Sequence, residues 1–133
     1  MTATRTPVNP WSWSLAYGFN QAELVEAASR VLVLSGQGAA SADGITQRAG
    51  DLPGQVSLSL DNIETVLRAA GMTLGNVVRI NVFTTDVDAM MAAWSDLAKR
   101  FEAAGVTPTS TLVGVTRLAF PEMMVEIEAT AVD

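Results

Sequence analysis

Two helical segments, separated by one strand, set the strongest limit on how this 133-residue chain can fold. The first is bounded by Asp51, which suits a helix cap, by Pro53 in the first turn and by Gly71 after the end. The second runs from Asp86 to Gly105. Each carries an apolar stripe at spacings of four, three and four residues, which is typical of a helix packed on a core. The stripes are Val56, Leu60, Ile63 and Leu67 in the first helix, and Met90, Trp94, Leu97 and Phe101 in the second.

Short apolar runs on either side of these helices are typical of strands. RVLVLSGQ and NVVRINVFTT flank the first helix, and TPTSTLVG and VEIEATAV follow the second. WSWSLAYGF alternates large and small residues as an edge strand does, residues 1–10 resemble an extended arm, and residues 20–30 form an ambiguous connection. Alternation in the middle strand predicts two faces, with Val78, Ile80 and Val82 on one and Arg79, Asn81 and Phe83 on the other.

The order strand, strand, helix, strand, helix, strand, strand predicts a single α+β domain over residues 1–133. A mixed sheet with both helices on one face gives each helix a surface to cover. The opposite sheet face has no cover from this chain, and 49% of the residues are hydrophobic. Both features predict a homo-oligomer.

Histidine and cysteine are absent, which excludes disulfides, Cys or His metal sites and catalytic triads with an imidazole base. No Asp-rich loop suits Mg²⁺ or Ca²⁺, so we expect no metal. The net charge of −6, with eight scattered basic residues, argues against nucleic acid as the principal ligand. No apolar run approaches the roughly 20 residues that span a bilayer. The start MTATRTPVNP has no apolar signal region, so we expect a cytoplasmic protein without a membrane partner.

Four strings in this order resemble the RidA/YjgF family of enamine and imine deaminases. They are VLVLSGQ, SLDNIETVLRAAGMTLGNVVRINVFTTDVD, TSTLVGVTRL and MMVEIEATAV, and the resemblance covers roughly residues 15 to 132. It implies a chorismate-mutase-like fold assembled as a homotrimer, with three ligand clefts between neighbouring subunits. The implied reaction, on a small-molecule enamine or imine of the 2-aminoacrylate type, is hydrolysis to a 2-keto acid and ammonia, without a metal or organic cofactor.

The resemblance also assigns residues to a site. Glu126, the first acid of VEIE, matches the carboxylate that holds water or relays a proton. Tyr17, Ser35 and Gly36 match positions that contact the ligand. Glu128 shares a strand face with Glu126, because side chains two residues apart point the same way, and is the weaker site hypothesis.

Three positions depart from the family pattern. Ser110 stands where the family has an Arg that clamps the substrate carboxylate, Leu112 replaces a Cys, and Trp94 replaces an Asn. Trp94 also fits core packing, since it lies on the helix stripe. Arg79 is a weak substitute for the missing Arg, and Arg117 is better explained as a structural or solvent-facing residue.

Other residues have simpler interpretations or remain open. Met90 and Met91 resemble core filler. Trp11 and Trp13 either pack an edge strand or make a neighbouring cleft more apolar. The primary hypothesis is an imine or enamine hydrolase whose substrate needs no carboxylate. The alternative is a non-catalytic small-molecule-binding trimer or a regulatory trimer of the same fold.

Overall fold

A computed structural model describes residues 2–133 and contains an α+β arrangement of six strands and two long helices among them. The strands are β1 (Thr4–Val8), β2 (Ala22–Glu26), β3 (Val31–Gln37), β4 (Val77–Thr84), β5 (Thr109–Gly114) and β6 (Val125–Val132), and the helices are α1 (Leu52–Ala69) and α2 (Val87–Ala103). Short 3₁₀ helices cover Trp13–Tyr17 and Leu74–Asn76.

Both predicted helices are confirmed, with the caps that the sequence indicated. The Asp51 carboxylate accepts a hydrogen bond from the Gly54 N–H at 2.9 Å, and the Asp86 carboxylate accepts one from Ala89 at 3.0 Å. Gly71 follows α1 with a φ of 73°, a left-handed conformation that favours glycine. Local sequence signals therefore determine where these helices begin and end.

The main sheet has the order β3-β6-β4-β5. β6 runs antiparallel to both β3 and β4, whereas β5 is parallel to β4 because α2 connects them as a crossover. The two C-terminal strands are thus confirmed as strands, but β4 lies between them. The helices pack on one sheet face around a core formed by their stripes and by the inward side chains of β4 and β6, among them Ile80, Val82 and Ile127.

The N-terminal predictions are partly wrong. WSWSLAYGF is not a strand; its centre is a 3₁₀ helix, Trp13–Tyr17, that ends at Gly18 with a φ of 79°. The arm of residues 1–10 contains β1, which pairs with β2 in a separate two-stranded sheet, so the ambiguous connection also contains a strand. In β4 a bulge between Val77 and Arg79 places Val77 in the core, and Val78 is only half-buried.

The sheet face opposite the helices is open in the single chain. β6 presents Glu126 and Glu128 on it, paired with Phe83 and Asn81 of β4, which confirms the predicted shared face. Val33 of β3 is 76% exposed on this surface. No helix within residues 2–133 is long and apolar enough to cross a membrane. The cytoplasmic location stays a prediction.

Candidate functional site

An apolar pocket of about 300 Å³ lies between the 3₁₀ helix, α2 and β5. Gly18 brings the 3₁₀ helix against α2, since a Cβ at this position would stand 2.9 Å from the Cβ of Ala98. The close approach lets the Trp94 indole N–H donate a hydrogen bond to the Tyr17 carbonyl at 2.8 Å. The residues that line this apolar pocket are Trp13, Tyr17, Phe19, Met91, Trp94, Ser110 and Leu112.

The aromatic rings of the pocket hold one another in place. Trp13 packs edge-to-face on Tyr17, with ring centroids 6.5 Å apart, and on Phe19 at 5.8 Å. Such pairs contribute about 0.5–1.5 kcal/mol beyond the area they bury. The pocket wall is therefore fixed without a ligand. A wider cavity of about 470 Å³ adjoins it beyond Tyr17 and Trp94, and Lys99 and Glu102 line that cavity.

The register of β5 decides which way its side chains face. Ser110 pairs with Ile80 and Leu112 with Val82, and both β4 partners lie in the core. Ser110 and Leu112 consequently face the helix side of the sheet, where α2 supplies the rest of the pocket. Thr111 lies between them on the open face.

Glu126 lies in a different cleft, of about 240 Å³, on the other side of the sheet. A bulge in β3 between Leu34 and Gln37 brings Gly36 against the Glu126 side chain. A Cβ at Gly36 would stand 2.3 Å from Glu126 Oε1, so only glycine leaves the carboxylate where it is. Among the described residues the Glu126 carboxylate has no hydrogen bond or ion pair. The Glu126 cleft also includes Gly38, Ala39, Thr46, Phe120 and Met123.

Two loops wall this cleft, and one buried side chain of α1 binds both. Gln55 is fully buried, and its Nε2 donates to the Glu122 carbonyl at 2.8 Å and to the carbonyls of Gln47 and Arg48 at 3.3 Å. Its Oε1 accepts the Met124 N–H at 2.8 Å. The walls of the Glu126 cleft are thus held by the helix core.

Arg79 lies outside both cavities, on the open face of the sheet. Its Nη2 donates to Asn81 Oδ1 at 2.9 Å and to Thr111 Oγ1 at 2.8 Å, and the Asn81 amide donates to Glu128 Oε1 at 2.9 Å. These contacts connect β5, β4 and β6 across the face. Arg79 and Glu128 therefore both hydrogen-bond to Asn81, whereas Glu126 has no such partner.

The structure divides the predicted site residues into two groups. Tyr17, Trp94, Ser110 and Leu112 meet in the apolar pocket, whereas Gly36 and Glu126 meet in the cleft across the sheet. Ser35 is exposed next to Gly36 in the bulge, and Arg79 joins neither group.

Sequence reasoning missed several lining residues. Met91 is not core filler; it is 45% exposed and lines the apolar pocket, although Met90 is fully buried as predicted. A signal was present, because Met91 lies one residue beside the α2 stripe. Phe19 and Phe120 carried no pattern that pointed to a site. Arg117 is exposed, in agreement with a solvent-facing role.

Within residues 2–133 no group of three or more acidic residues is arranged to hold a metal ion. The absence of a metal in the function stays a prediction. The chemistry that the described residues offer is a single unpaired carboxylate in one cleft and an uncharged, ring-lined pocket in the other.

Comparison with known proteins gives consistent matches over most of the chain. The model of the family described as Endoribonuclease L-PSP matches residues 15–133. TdcF of Escherichia coli (strain K12), assigned by its name to the reactive intermediate deaminases, is 36% identical over 84 residues. That match covers 62% of this chain and 64% of TdcF, so it spans less than two thirds of that relative. A second E. coli K12 protein, named 2-iminobutanoate/2-iminopropanoate deaminase, is 30% identical over 93 residues, which is 66% of this chain and 72% of the relative.

Solved structures share the fold. YyfB from Yersinia pestis, a Rid-family protein of unknown function, superposes with a TM-score of 0.88 at 33% identity and covers 97% of this chain and 98% of its own. E. coli TdcF with bound serine gives a TM-score of 0.69 at 31% identity, over 81% of this chain and 84% of TdcF.

Proposed function

The chain belongs to the family described as Endoribonuclease L-PSP, the YjgF/Rid family of its structural relatives, and from that premise we propose that it hydrolyses a reactive imine or enamine. Water adds to the C=N carbon, and the resulting carbinolamine breaks its C–N bond to give a carbonyl compound and ammonia. An enamine first takes a proton on carbon to become the imine. Neither step changes oxidation state, so neither requires a cofactor.

The observation that carries this proposal is the unpaired carboxylate of Glu126 against Gly36. Imine hydrolysis needs a base that takes a proton from the attacking water and returns it to the departing nitrogen. A carboxylate already bound by an arginine or an amide, as Glu128 is by Asn81, is poorly suited to that task. Glu126 is free to bind water, and the Gly36 bulge leaves it space.

The division of the site across the sheet supports a homotrimer. In one chain the sheet separates Glu126 from Tyr17 and Ser110, so one substrate cannot contact both groups. The open face also exposes Val31 and Val33, at 61% and 76%. Placing the open face of one copy against the pocket edge of a second would cover this apolar surface and complete the site. Three such copies form a closed ring with three clefts.

We expect this chain to prefer substrates other than imino acids, because it lacks the Arg that would bind their carboxylate. An Arg that clamps a carboxylate bidentately is among the strongest directional contacts in proteins. Ser110 can offer one neutral hydrogen bond, worth about 1 kcal/mol. We therefore assign this chain an imine without a carboxylate, bound through Tyr17 and Ser110 of one copy and positioned by the backbone at Ser35 and Gly36 of a neighbouring copy.

Although the family is described as an endoribonuclease, the composition of this chain argues against RNA as its substrate. RNA binding relies on basic residues that neutralise phosphates, and this chain has a net charge of −6 and no histidine. The apolar pocket has no charged lining residue, and the Glu126 cleft contributes a negative one. A non-catalytic binding or regulatory trimer is the remaining alternative, and it is distinguished by turnover.

The test is ammonia release from imines generated in situ by amine and amino-acid oxidases. We expect turnover by the wild type and a loss of about 100-fold or more in Glu126→Gln, the usual scale for removing an acid–base group. Glu128→Gln is the matched control, since it lies on the same strand face and a Gln oxygen can still accept from Asn81. Its activity should change by less than threefold. Absence of turnover on aliphatic, aromatic and cyclic imines, combined with saturable ligand binding, would establish the binding trimer instead.

A further inference from the structure

We propose that the apolar pocket is a subsite for a flat, uncharged aromatic group, so that the substrates are imines with an aryl or aryl-alkyl group on the C=N carbon and no substituent on nitrogen, with Trp13 and Met91 as specificity-determining residues. The inference rests on the proposed hydrolysis for the identity of the reaction. The binding of the ring rests on the pocket alone and can be measured separately.

The lining chemistry selects against charge. The pocket has no acidic or basic side chain, and its polar side-chain groups are the hydroxyls of Ser110 and Tyr17 and the indole N–H groups of the two tryptophans. A carboxylate placed there would lose its hydration without gaining a cationic partner. An uncharged ring loses little hydration and gains contact with four aromatic side chains and with Leu112. The composition thus favours an aromatic group over an acid of the same size.

The shape of the pocket is set before a ligand arrives. Trp13 is held edge-to-face by both Tyr17 and Phe19, and Trp94 is fixed by its hydrogen bond to the Tyr17 carbonyl. A preformed site avoids the cost of ordering its side chains on binding. The volume of about 300 Å³ lies at the lower end of small-molecule pockets and suits a single ring with a short chain.

The nearest cations do not alter this selection. Arg79 lies on the other face of the sheet and donates to Asn81 and Thr111. Lys99 lines the adjoining cavity, on the far side of Tyr17 and Trp94. Neither Arg79 nor Lys99 lines the apolar pocket itself.

The structure also separates the two exposed tryptophans. Trp13, which is 58% exposed, lines the pocket, whereas Trp11, which is 63% exposed, does not. The two residues have the same side chain, similar exposure and almost the same place in the chain. Trp11→Ala is therefore a matched control for Trp13→Ala.

The experiment measures dissociation constants by calorimetry for three stable probes. Benzamide is an uncharged planar analogue of an aryl imine, benzoate carries a charge on the same ring, and acetamide lacks the ring. We expect benzamide to bind at least tenfold more tightly than either of the others. Trp13→Ala should weaken benzamide about tenfold, and Trp11→Ala less than twofold. Equal binding of benzamide and benzoate, or equal effects of the two tryptophan substitutions, would overturn the proposal.

A second variant tests the charge selection without depending on a truncation. Met91 is half-exposed on α2, so Met91→Lys places an ammonium group at the pocket wall without burying it in the core. The benzoate-to-benzamide affinity ratio should rise at least tenfold. An unchanged ratio, in a variant with the same oligomeric mass and helix content as the wild type, contradicts the assignment of the ring to this pocket.

The outcome also distinguishes this inference from the proposed reaction. Trp13-dependent binding of benzamide without turnover of any imine would retain the aryl subsite and remove the hydrolase. Turnover restricted to small aliphatic imines, without benzamide binding, would retain the hydrolase and remove the subsite.

Discussion

Replacing Gly36 by alanine should displace the Glu126 carboxylate while leaving the fold intact. The new Cβ would stand 2.3 Å from Oε1, 2.6 Å from Cδ and 2.7 Å from Cγ of Glu126. Ordinary contact begins near 3.4 Å, so the carboxylate must move by about 1 Å. The backbone at Gly36 has no positive φ, so alanine itself is not strained there.

The size of the functional effect follows from that displacement. A shift of about 1 Å in a positioned catalytic group can cost about 100-fold in rate, or roughly 2.7 kcal/mol. Stability should change little. Fixing a glycine as alanine gains about 0.4–1 kcal/mol through the unfolded state, and an off-rotamer Glu126 costs a similar amount. Gly36→Ala should therefore lose about 100-fold in kcat/KM with a thermal midpoint close to that of the wild type.

Gly38→Ala supplies the matched control. Gly38 lines the same cleft, two residues after Gly36. A Cβ at Gly38 would stand 2.7 Å from the terminal methyl of Met123, which can rotate away. Its activity should stay within about threefold of the wild type. A double variant, Gly36→Ala with Glu126→Gln, should be no worse than Glu126→Gln alone, because the residues act as a unit. Full activity in Gly36→Ala, or equal losses in both glycine variants, would refute the role of the bulge.

Three further results are expected. Ser110→Arg should raise kcat/KM for small imino acids by about 30- to 1000-fold, because a charge-assisted contact contributes about 2–4 kcal/mol. The same variant should lower the preference for carboxylate-free imines. No gain on imino acids would show that position 110 does not face the substrate. Gln55→Leu removes four hydrogen bonds to the loop backbones and should lower the free energy of unfolding by about 3–5 kcal/mol in denaturant titrations. The control is Gln37→Leu, because the exposed Gln37 amide binds only the Ser35 carbonyl; it should change the free energy of unfolding by less than about 0.5 kcal/mol. Similar losses in both variants would show that Gln55 does not hold the two loops. Light scattering at micromolar concentration should give a mass near three chains, and a monomeric mass would contradict the shared cleft.

The sequence was most informative about the two helices and the last strand, where the local signals are strong. Caps at Asp51 and Asp86 and the apolar stripes determine α1 and α2, and the two-residue period of β6 places Glu126 and Glu128 on one face. These features depend on interactions a few residues apart. They could be predicted without knowing which strands are neighbours.

The N-terminal segment shows where local patterns fail. An edge strand and a short 3₁₀ turn can both show the alternation of Trp and Ser in residues 11–14, and four residues are too few to distinguish the two structures. The left-handed Gly18 and its contact with Ala98 decide the outcome, and that contact joins residues 80 positions apart. Tertiary packing therefore overrides the pattern, and with it the position of Trp13.

The orientation of Ser110 depends on a long-range register. Whether it faces the helices or the open face is fixed by its pairing with Ile80, which exists because α2 returns the chain parallel to β4. A register shift of one residue would turn Ser110 and Leu112 to the open face and Thr111 to the helix side. Local sequence patterns do not reveal this register, because it depends on how two distant strands pair.

That register has a consequence for catalysis. Because the sheet is a single layer, the apolar pocket and Glu126 act on opposite sides of it in any one chain. In the proposed reaction, a substrate ring held by Trp13 meets the Glu126 of another copy. We therefore expect turnover to require the oligomer, which would also cover Val33. Substitutions at the open face, far from the pocket, should then reduce kcat/KM and oligomeric mass together, whereas substitutions at Trp13 should reduce kcat/KM alone. Dilution that dissociates the wild type should abolish turnover while leaving benzamide binding in place.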